Sequence, residues 1–313
     1  MTREITMMFF PADFCWHKRQ TSACFEEMRA HGVRSVCLPF TESDRHFTSL
    51  TWYADLAHAA GLAVYAMPGR VAGLFAAGHR PCSRFVQDHP EALAVNEAGH
   101  PHVAESGFCA CVNQPAFADW FYSLMERAVG ASGAEGMLFD EPKAAHLPCW
   151  CGVCRSKAGD DHAALVALRE RSMARMMGCA GTAVKSGNLS RRMLVMCMPG
   201  ATRSFIDALA GEGSLDAIGV DGPVCAQTVE KESLFDSSRR MFPGIRSAGK
   251  EAFALVETFN VPASSHGELE TNLERLETVG ADVWSFNYYP HAVECPDAVM
   301  EKVWKAVGRL SGK

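Results

Sequence analysis

Residues 50–67 read Leu50-Thr51-Trp52-Tyr53-Ala54-Asp55-Leu56-Ala57-His58-Ala59-Ala60-Gly61-Leu62-Ala63-Val64-Tyr65-Ala66-Met67. The first eleven suit an amphipathic helix, Gly61 is a helix stop, and Leu62–Met67 is an apolar run of strand length. A strand apolar at every position is buried on both faces, as in a parallel sheet covered by helices.

Working outward, the same unit recurs. Apolar runs fall at Ile5–Phe10, Val33–Phe40, Leu62–Met67, Gly136–Phe139, Met193–Met198, Leu215–Val220, Ala252–Val256 and Ala281–Phe286. The helical stretches between and after them lie near Thr21–Ala30, Leu50–Ala60, Pro115–Val129, Asp161–Val184, Arg203–Ala210, Thr228–Ser247, His266–Val279 and Asp297–Leu310. Gly32, Gly61 and Gly280 each stand just before a strand. Eight strand–helix units in 313 residues predict one (β/α)8 TIM-barrel domain over 1–313. The long loops after strands 3 and 4 carry insertions around 69–115 and 142–160. The alternative is an open doubly wound sheet. It lacks support, because the first strand–helix turn has no Gly-x-Gly-x-x-Gly fingerprint and no phosphate loop is present.

Composition narrows the function. The chain is 48% hydrophobic with a formal net charge of −6, and no Lys/Arg run stands out, which argues against a nucleic-acid partner. No apolar stretch approaches the roughly 20 residues that cross a bilayer. The N-terminal apolar run is too short for a secretion signal, so the expectation is a cytoplasmic protein without a membrane partner. Of thirteen cysteines, Cys37 and Cys197 lie within apolar runs and read as reduced core residues.

Barrel enzymes place their chemistry at the C-terminal ends of the strands. The polar residues there are Asp13; Glu42, Asp44 and Arg45; Arg70; Asp140 and Glu141; Asp221; Glu257 and Asn260; and Trp284, Asn287, Tyr288, Tyr289 and His291. Glu141, in Met137-Leu138-Phe139-Asp140-Glu141-Pro142, and Glu257, in Phe253-Ala254-Leu255-Val256-Glu257, each follow an apolar run. A lone acid there serves either a local ion pair or catalysis. Strands 4 and 7 face each other across the mouth, so the two acids can converge on one bound group. Two such carboxyls hydrolyse a glycosidic bond with retention at about 5–5.5 Å separation, or with inversion at about 6.5–9.5 Å. Retention is expected here. Glu141 is then expected to hold the proton, and Glu257 to stay ionised beside Arg70 or Arg45. Trp284, Phe286, Tyr288 and Tyr289 could form a sugar platform, or they could be core and rim packing. Asp140, Arg70, Asp221, Trp284, Asn287 and Tyr288 are the candidate substrate-binding residues.

Cys149-Trp150-Cys151-Gly152-Val153-Cys154 sets three thiols within six residues. That spacing suits tetrahedral zinc, with Cys109 or Cys111 as fourth ligand, and a dithiol at Cys151 and Cys154 is the redox alternative. Four thiolates leave no open position, so such a zinc is structural.

Together these motifs resemble family 42 glycoside hydrolases, the bacterial β-galactosidases. There a strand-4 Asn-Glu precedes a Cys-x-Cys-x-x-Cys zinc cluster, and a further zinc Cys lies upstream in a stretch similar to Cys111-Val112-Asn113-Gln114-Pro115. The resemblance implies Cys111, Cys149, Cys151 and Cys154 as zinc ligands, Glu141 as general acid/base and Glu257 as nucleophile. It covers the barrel only. Asp140 stands where the family has an Asn that hydrogen-bonds the sugar 2-hydroxyl, so β-galactoside specificity does not carry over.

The sequence therefore predicts a glycosidase acting on a small carbohydrate, and a homo-oligomer is compatible with it. The competing readings are a metal-dependent barrel hydrolase or isomerase, which would need His and carboxylate ligands at several strand ends, and a non-catalytic sugar-binding barrel.

Overall fold

The computed structural model describes residues 3–10, 17–42, 47–76, 83–104, 107–143, 145–227, 231–290 and 292–312. Eight parallel strands close into a barrel: β1 (Glu4–Met8), β2 (Ser35–Phe40), β3 (Ala63–Pro68), β4 (Gly136–Asp140), β5 (Arg192–Cys197), β6 (Ala217–Pro223), β7 (Glu251–Glu257) and β8 (Val283–Asn287). Each pairs with its neighbours in chain order, and β1 closes on β8 with Glu4 opposite Val283 and Met8 opposite Asn287. The TIM barrel read from the apolar runs is what the chain forms.

Helices α1 (Lys18–Ala30), α2 (Thr48–Ala59), α3 (Arg84–Asp88), α4 (Pro115–Ser132), α5 (Gly152–Ala158), α6 (His162–Ser186), α7 (Arg203–Ala210), α8 (Leu234–Ser247), α9 (His266–Glu274) and α10 (Pro296–Ser311) surround the strands or occupy the loops between them. Asp161, Thr202 and Ser233 cap α6, α7 and α8 by accepting backbone N–H bonds at Ala164, Phe205 and Asp236. The stop glycines Gly32, Gly61 and Gly280 all have positive φ, which an L side chain adopts only with strain. The insertion after β3 contains α3 and a short hairpin, Val103–Ala104 with Gly107–Phe108. The insertion after β4 contains α5. Neither short helix has enough apolar periodicity to be read from sequence. No described helix is long and apolar enough to cross a membrane.

Strand alternation divides the core in two. Met8, Cys37, Tyr65, Met67, Leu138, Leu194, Met196, Ala217, Phe253, Leu255 and Val283 pack together inside the barrel. Residues of the opposite parity, such as Met7, Val36, Phe139, Val195, Val256 and Trp284, join the larger layer between strands and helices. Gly219 keeps the interior parity because a Cβ there would collide with the Phe253 carbonyl. This parity decides which strand-end side chains reach the mouth.

Candidate active site

Two residues on from Leu138 is Asp140, two on from Leu255 is Glu257, and four on from Val283 is Asn287. Asp221 continues the interior row of β6 from Ala217 and Gly219. All four are at most 5% exposed and lie at the C-terminal ends of their strands. Glu141 falls on the opposite parity, yet its backbone has φ 38°, in the left-handed region. A non-glycine residue held there costs about 1–3 kcal/mol. The turn leaves Glu141 near enough to Asp221 for its charge to act on the Asp221 carboxyl. Glu141 N donates to the Met196 carbonyl of β5 at 2.9 Å, which fixes the turn.

Two lysines complete the cluster. Lys143 Nζ lies 2.6 Å from Glu141 Oε2, and Lys231 Nζ donates to Glu257 Oε1 at 2.7 Å. Burial pushes the Glu257 carboxyl above the ordinary range, with Lys231 pulling the other way and Glu141 adding to the rise. Burial, then the neighbouring Glu141, pushes Asp221 well above its ordinary value. Several buried polar atoms here have no protein partner: Glu257 Oε2, Asp221 Oδ1, and both Asn287 amide atoms. An unsatisfied buried polar atom costs about 1–3 kcal/mol, so these atoms at the strand ends call for a partner that the described side chains do not supply.

The opposite end of the barrel has the reverse character. Glu4 accepts from Tyr65 Oη at 2.7 Å and from Ser35 Oγ at 3.3 Å, and Arg192 bridges Glu4 and Glu251. A cleft of about 830 Å³ opens there, but these charges along its wall are paired with one another. That end serves stability.

The structure corrects part of the expected site. Trp284 and Tyr288 lie in the strand–helix layer, as does Phe286, because β8 turns Val283, Ser285 and Asn287 inward. Tyr288 Oη donates to Glu27 Oε2 at 2.6 Å, and its ring packs on Phe9 and Trp304. The aromatic sugar platform is therefore absent from β8, and Tyr288 and Trp284 are packing residues. Glu42 also proves structural: it accepts from Ser83 Oγ at 2.8 Å and Phe85 N at 2.7 Å, tying down the first insertion. Arg70 stands two residues past β3, half-buried, with φ 57°. The cation against Glu257 is Lys231 rather than Arg70. Arg45, the other cation expected there, lies outside the described residues, as do Asp13, Asp44 and His291. Lys143 and Lys231 were missed because both sit in loops beyond the strand ends.

Beside the mouth, the Sγ atoms of Cys111, Cys149, Cys151 and Cys154 all lie within 4.8 Å of one another. Cys111 Sγ is 3.7 Å from Cys151 Sγ and 3.4 Å from Cys154 Sγ. Four sulfurs on zinc at about 2.3 Å would be about 3.8 Å apart, so the constellation fits that ion. The side-chain amides of Asn113 and Gln114 donate to Cys154 Sγ and Cys151 Sγ at 3.4 and 3.6 Å. Neighbouring thiols hold Cys151 well below the usual thiol range and bring Cys149 down to about 6. Cys109 stands apart, its thiol directed at the His102 carbonyl at 3.9 Å, so Cys111 is the member from the first insertion.

No family model matches the chain, and no curated protein matches it. Solved structures do. A β-galactosidase from the psychrophilic Marinomonas ef1 superposes with TM-score 0.71 at 13% identity, over 99% of this chain and 59% of that one. The α-L-fucosidase isoenzyme 2 of Paenibacillus thiaminolyticus gives 0.65 at 13% identity, over 100% and 49%. The catalytic domain of a β-amylase from Paenibacillus polymyxa gives 0.66 at 8% identity, over 98% of both chains. At such identities the likeness shows a barrel fold shared with glycoside hydrolases. The chain spans about half to three-fifths of the first two.

Proposed function

We propose that the protein is a retaining glycosidase acting on a small glycoside, a divergent relative of family 42. The observation that carries this reading is the set of buried acids and amide at the C-terminal strand ends, Asp221, Glu257 and Asn287, with atoms that lack protein partners, and Glu141 directly after β4. Glycosidases among the structural neighbours support the class of reaction. Glu257 attacks the anomeric carbon as the glycosidic bond breaks and Glu141 delivers a proton to the departing oxygen. Water, relieved of a proton by Glu141, then releases the sugar from the Glu257 ester. Lys231 keeps Glu257 ionised for attack despite its burial. Asn287 and Asp140 would hydrogen-bond ring hydroxyls.

Lys143 is paired with Glu141 and Lys231 with Glu257, and Arg70 has its own partners. Cys111, Cys149, Cys151 and Cys154 would hold one structural zinc that ties the two insertions together, leaving no open position for substrate. Among the described residues, that is the one group of three or more metal-type ligands close enough to share an ion.

The test is a screen of aryl glycosides against the wild type and Glu257→Ala. Turnover lost in the variant and restored by azide with inverted product would support the reading. Turnover that survives in both Glu257→Ala and Glu141→Ala would refute it.

A further inference from the structure

Beside the mouth lies a second cavity of about 220 Å³, between the loops that follow β4 and β5. It shares a wall with the mouth, since Pro142 follows Glu141 and Met198 is two residues on from Met196 of the interior row. Most of its lining is carbon, from Pro142, Ala145, Met198, Pro199 and Phe205. Its acid is Glu170 of α6, which is 4% exposed. We propose that this cavity binds a small organic ammonium ion of the trimethylammonium kind, with Glu170 as its counter-charge. The proposal goes beyond the glycosidase reading and stands without it.

Glu170 is a buried acid held by neutral donors. Its Oε1 accepts from Thr202 Oγ1 and its Oε2 from Ser204 Oγ, both at 2.6 Å. Hydroxyl bonds of about 2.5–2.7 Å are the length expected on a carboxylate anion. Thr202 Oγ1 also accepts from Phe205 N at 3.2 Å, which leaves its hydrogen for Glu170. Among the described residues Glu170 forms no ion pair, and its chain neighbour Arg169 donates to the Ala110 carbonyl at 3.1 Å. An acid this buried is rarely left without a counter-charge, because a charge removed from water is otherwise poorly solvated. Thr202 caps α7 and Ser204 lies in its first turn, so the helix N-terminus answers about half a charge. The rest is left for whatever enters the cavity.

The walls select the kind of cation. A primary ammonium has three N–H bonds to satisfy, and a mostly carbon lining does not supply three acceptors. A methylated ammonium has no N–H to satisfy. It is drawn to a carboxylate while its methyl groups pack on aliphatic and aromatic walls, which Met198, Phe205 and the two prolines supply. The volume lies below the roughly 300–1,000 Å³ of sites for drug-sized molecules, so the ion is a small one. His146, the other titratable side chain of the lining, is exposed at the rim.

The test is a titration of the whole protein with choline and with 3,3-dimethylbutan-1-ol, which has the same shape without the charge. Calorimetry or ligand-detected NMR at about pH 8, where an ordinary imidazole is neutral, reads both. Choline should bind, and the alcohol should bind about tenfold more weakly or worse. Glu170→Gln keeps the shape and the hydroxyl partners; it should weaken choline by about tenfold or more and leave the alcohol unchanged. Ala201→Leu fills the cavity without touching the acid and should abolish choline binding, so it decides the matter should Glu170→Gln fail to fold. If Glu170 only ties α6 to α7, Glu170→Gln lowers Tm and leaves choline affinity as it was, which overturns the proposal. So does a wild type that ignores millimolar choline, equal binding of the two probes, or ethanolamine binding more tightly than choline. None of these readouts needs turnover, so their failure leaves the glycosidase reading untouched, and absence of glycoside turnover leaves the cation site standing.

Discussion

Lys231→Met separates the nucleophile from its cation. Glu257 is 1% exposed, and its Oε1 accepts from Lys231 at 2.7 Å while Oε2 has no protein partner. Removing one member of a buried pair typically costs about 3–5 kcal/mol. The chain has a cheaper response, which is to keep Glu257 protonated. Holding a proton that the unfolded chain has lost costs about 1.4 kcal/mol for each pH unit above the ordinary Glu value of about 4.3, so at most about 3.7 kcal/mol at pH 7. Two details lower the expected loss to about 2–3 kcal/mol. Lys231 is partly exposed, so water already screens the pair, and Lys143 also favours the Glu257 charge. The sign follows from direction. Burial already raises Glu257 in the wild type, and losing Lys231 raises it further. Below about pH 4.3 the group is neutral in both folded and unfolded chains, and the variant should match the wild type. As pH rises between the two folded-state values, the native variant binds more protons than its unfolded chain and loses stability relative to the wild type. Above that window the difference becomes constant. Denaturant unfolding at a series of pH values from about 4 to 8 measures it. A difference that is the same across that range would refute the argument, as would one that persists with its pH dependence in Lys231→Met/Glu257→Gln.

Elemental analysis should find one zinc per chain, and Asn113→Ala, which removes the amide donor to Cys154 Sγ, should weaken zinc by about 10–100-fold in competition with a chelator. Gly219→Ala should destabilise by about 3 kcal/mol, at the upper end for overpacking, because its Cβ meets backbone at Phe253; thermal unfolding reads this. Tyr288→Phe should cost about 1–2 kcal/mol through the lost bond to Glu27 and leave KM for any glycoside unchanged, whereas a rise in KM would return Tyr288 to the mouth.

The barrel was legible because a strand buried on both faces has to be apolar at every position. That rule marks eight runs whose ends agree with β1–β8 to within three residues. The same uniformity hides which face points inward. At β8 the order Trp284-Ser285-Phe286-Asn287-Tyr288 holds the answer: the polar residues at every second place are the interior row, and the aromatics between them belong to the helix layer. Reading the large rings as the sugar platform gave weight to size over parity. The cysteine cluster could be read because three thiols within six residues have few structural uses. Spacing alone left Cys109 and Cys111 equivalent. They separate in three dimensions because Ala110 N is bonded to Ala72 O and Cys111 N to Ala92 O, and this seats Cys111 against α5 while Cys109 faces His102.

The acids were visible as isolated charges after apolar runs, but their electrostatics were not. Glu141 was expected to hold its proton because Asp140, Glu257 and an apolar wall surround it. The structure adds Lys143 two residues along, brought back onto Glu141 by a turn whose left-handed residue is Glu141 itself. No sequence rule marks a glutamate for positive φ, since the strain is tolerated only where surrounding contacts over-determine it. Here those contacts are the Met196 carbonyl on the Glu141 amide, the Leu74 carbonyl on the Lys143 amide and the Lys143 ammonium on the Glu141 carboxyl. The consequence is chemical. Without the turn, Glu141 would follow its parity into the strand–helix layer. With it, the same residue meets the Lys143 ammonium at 2.6 Å, at the end of the barrel where Asp221 and Glu257 also lie.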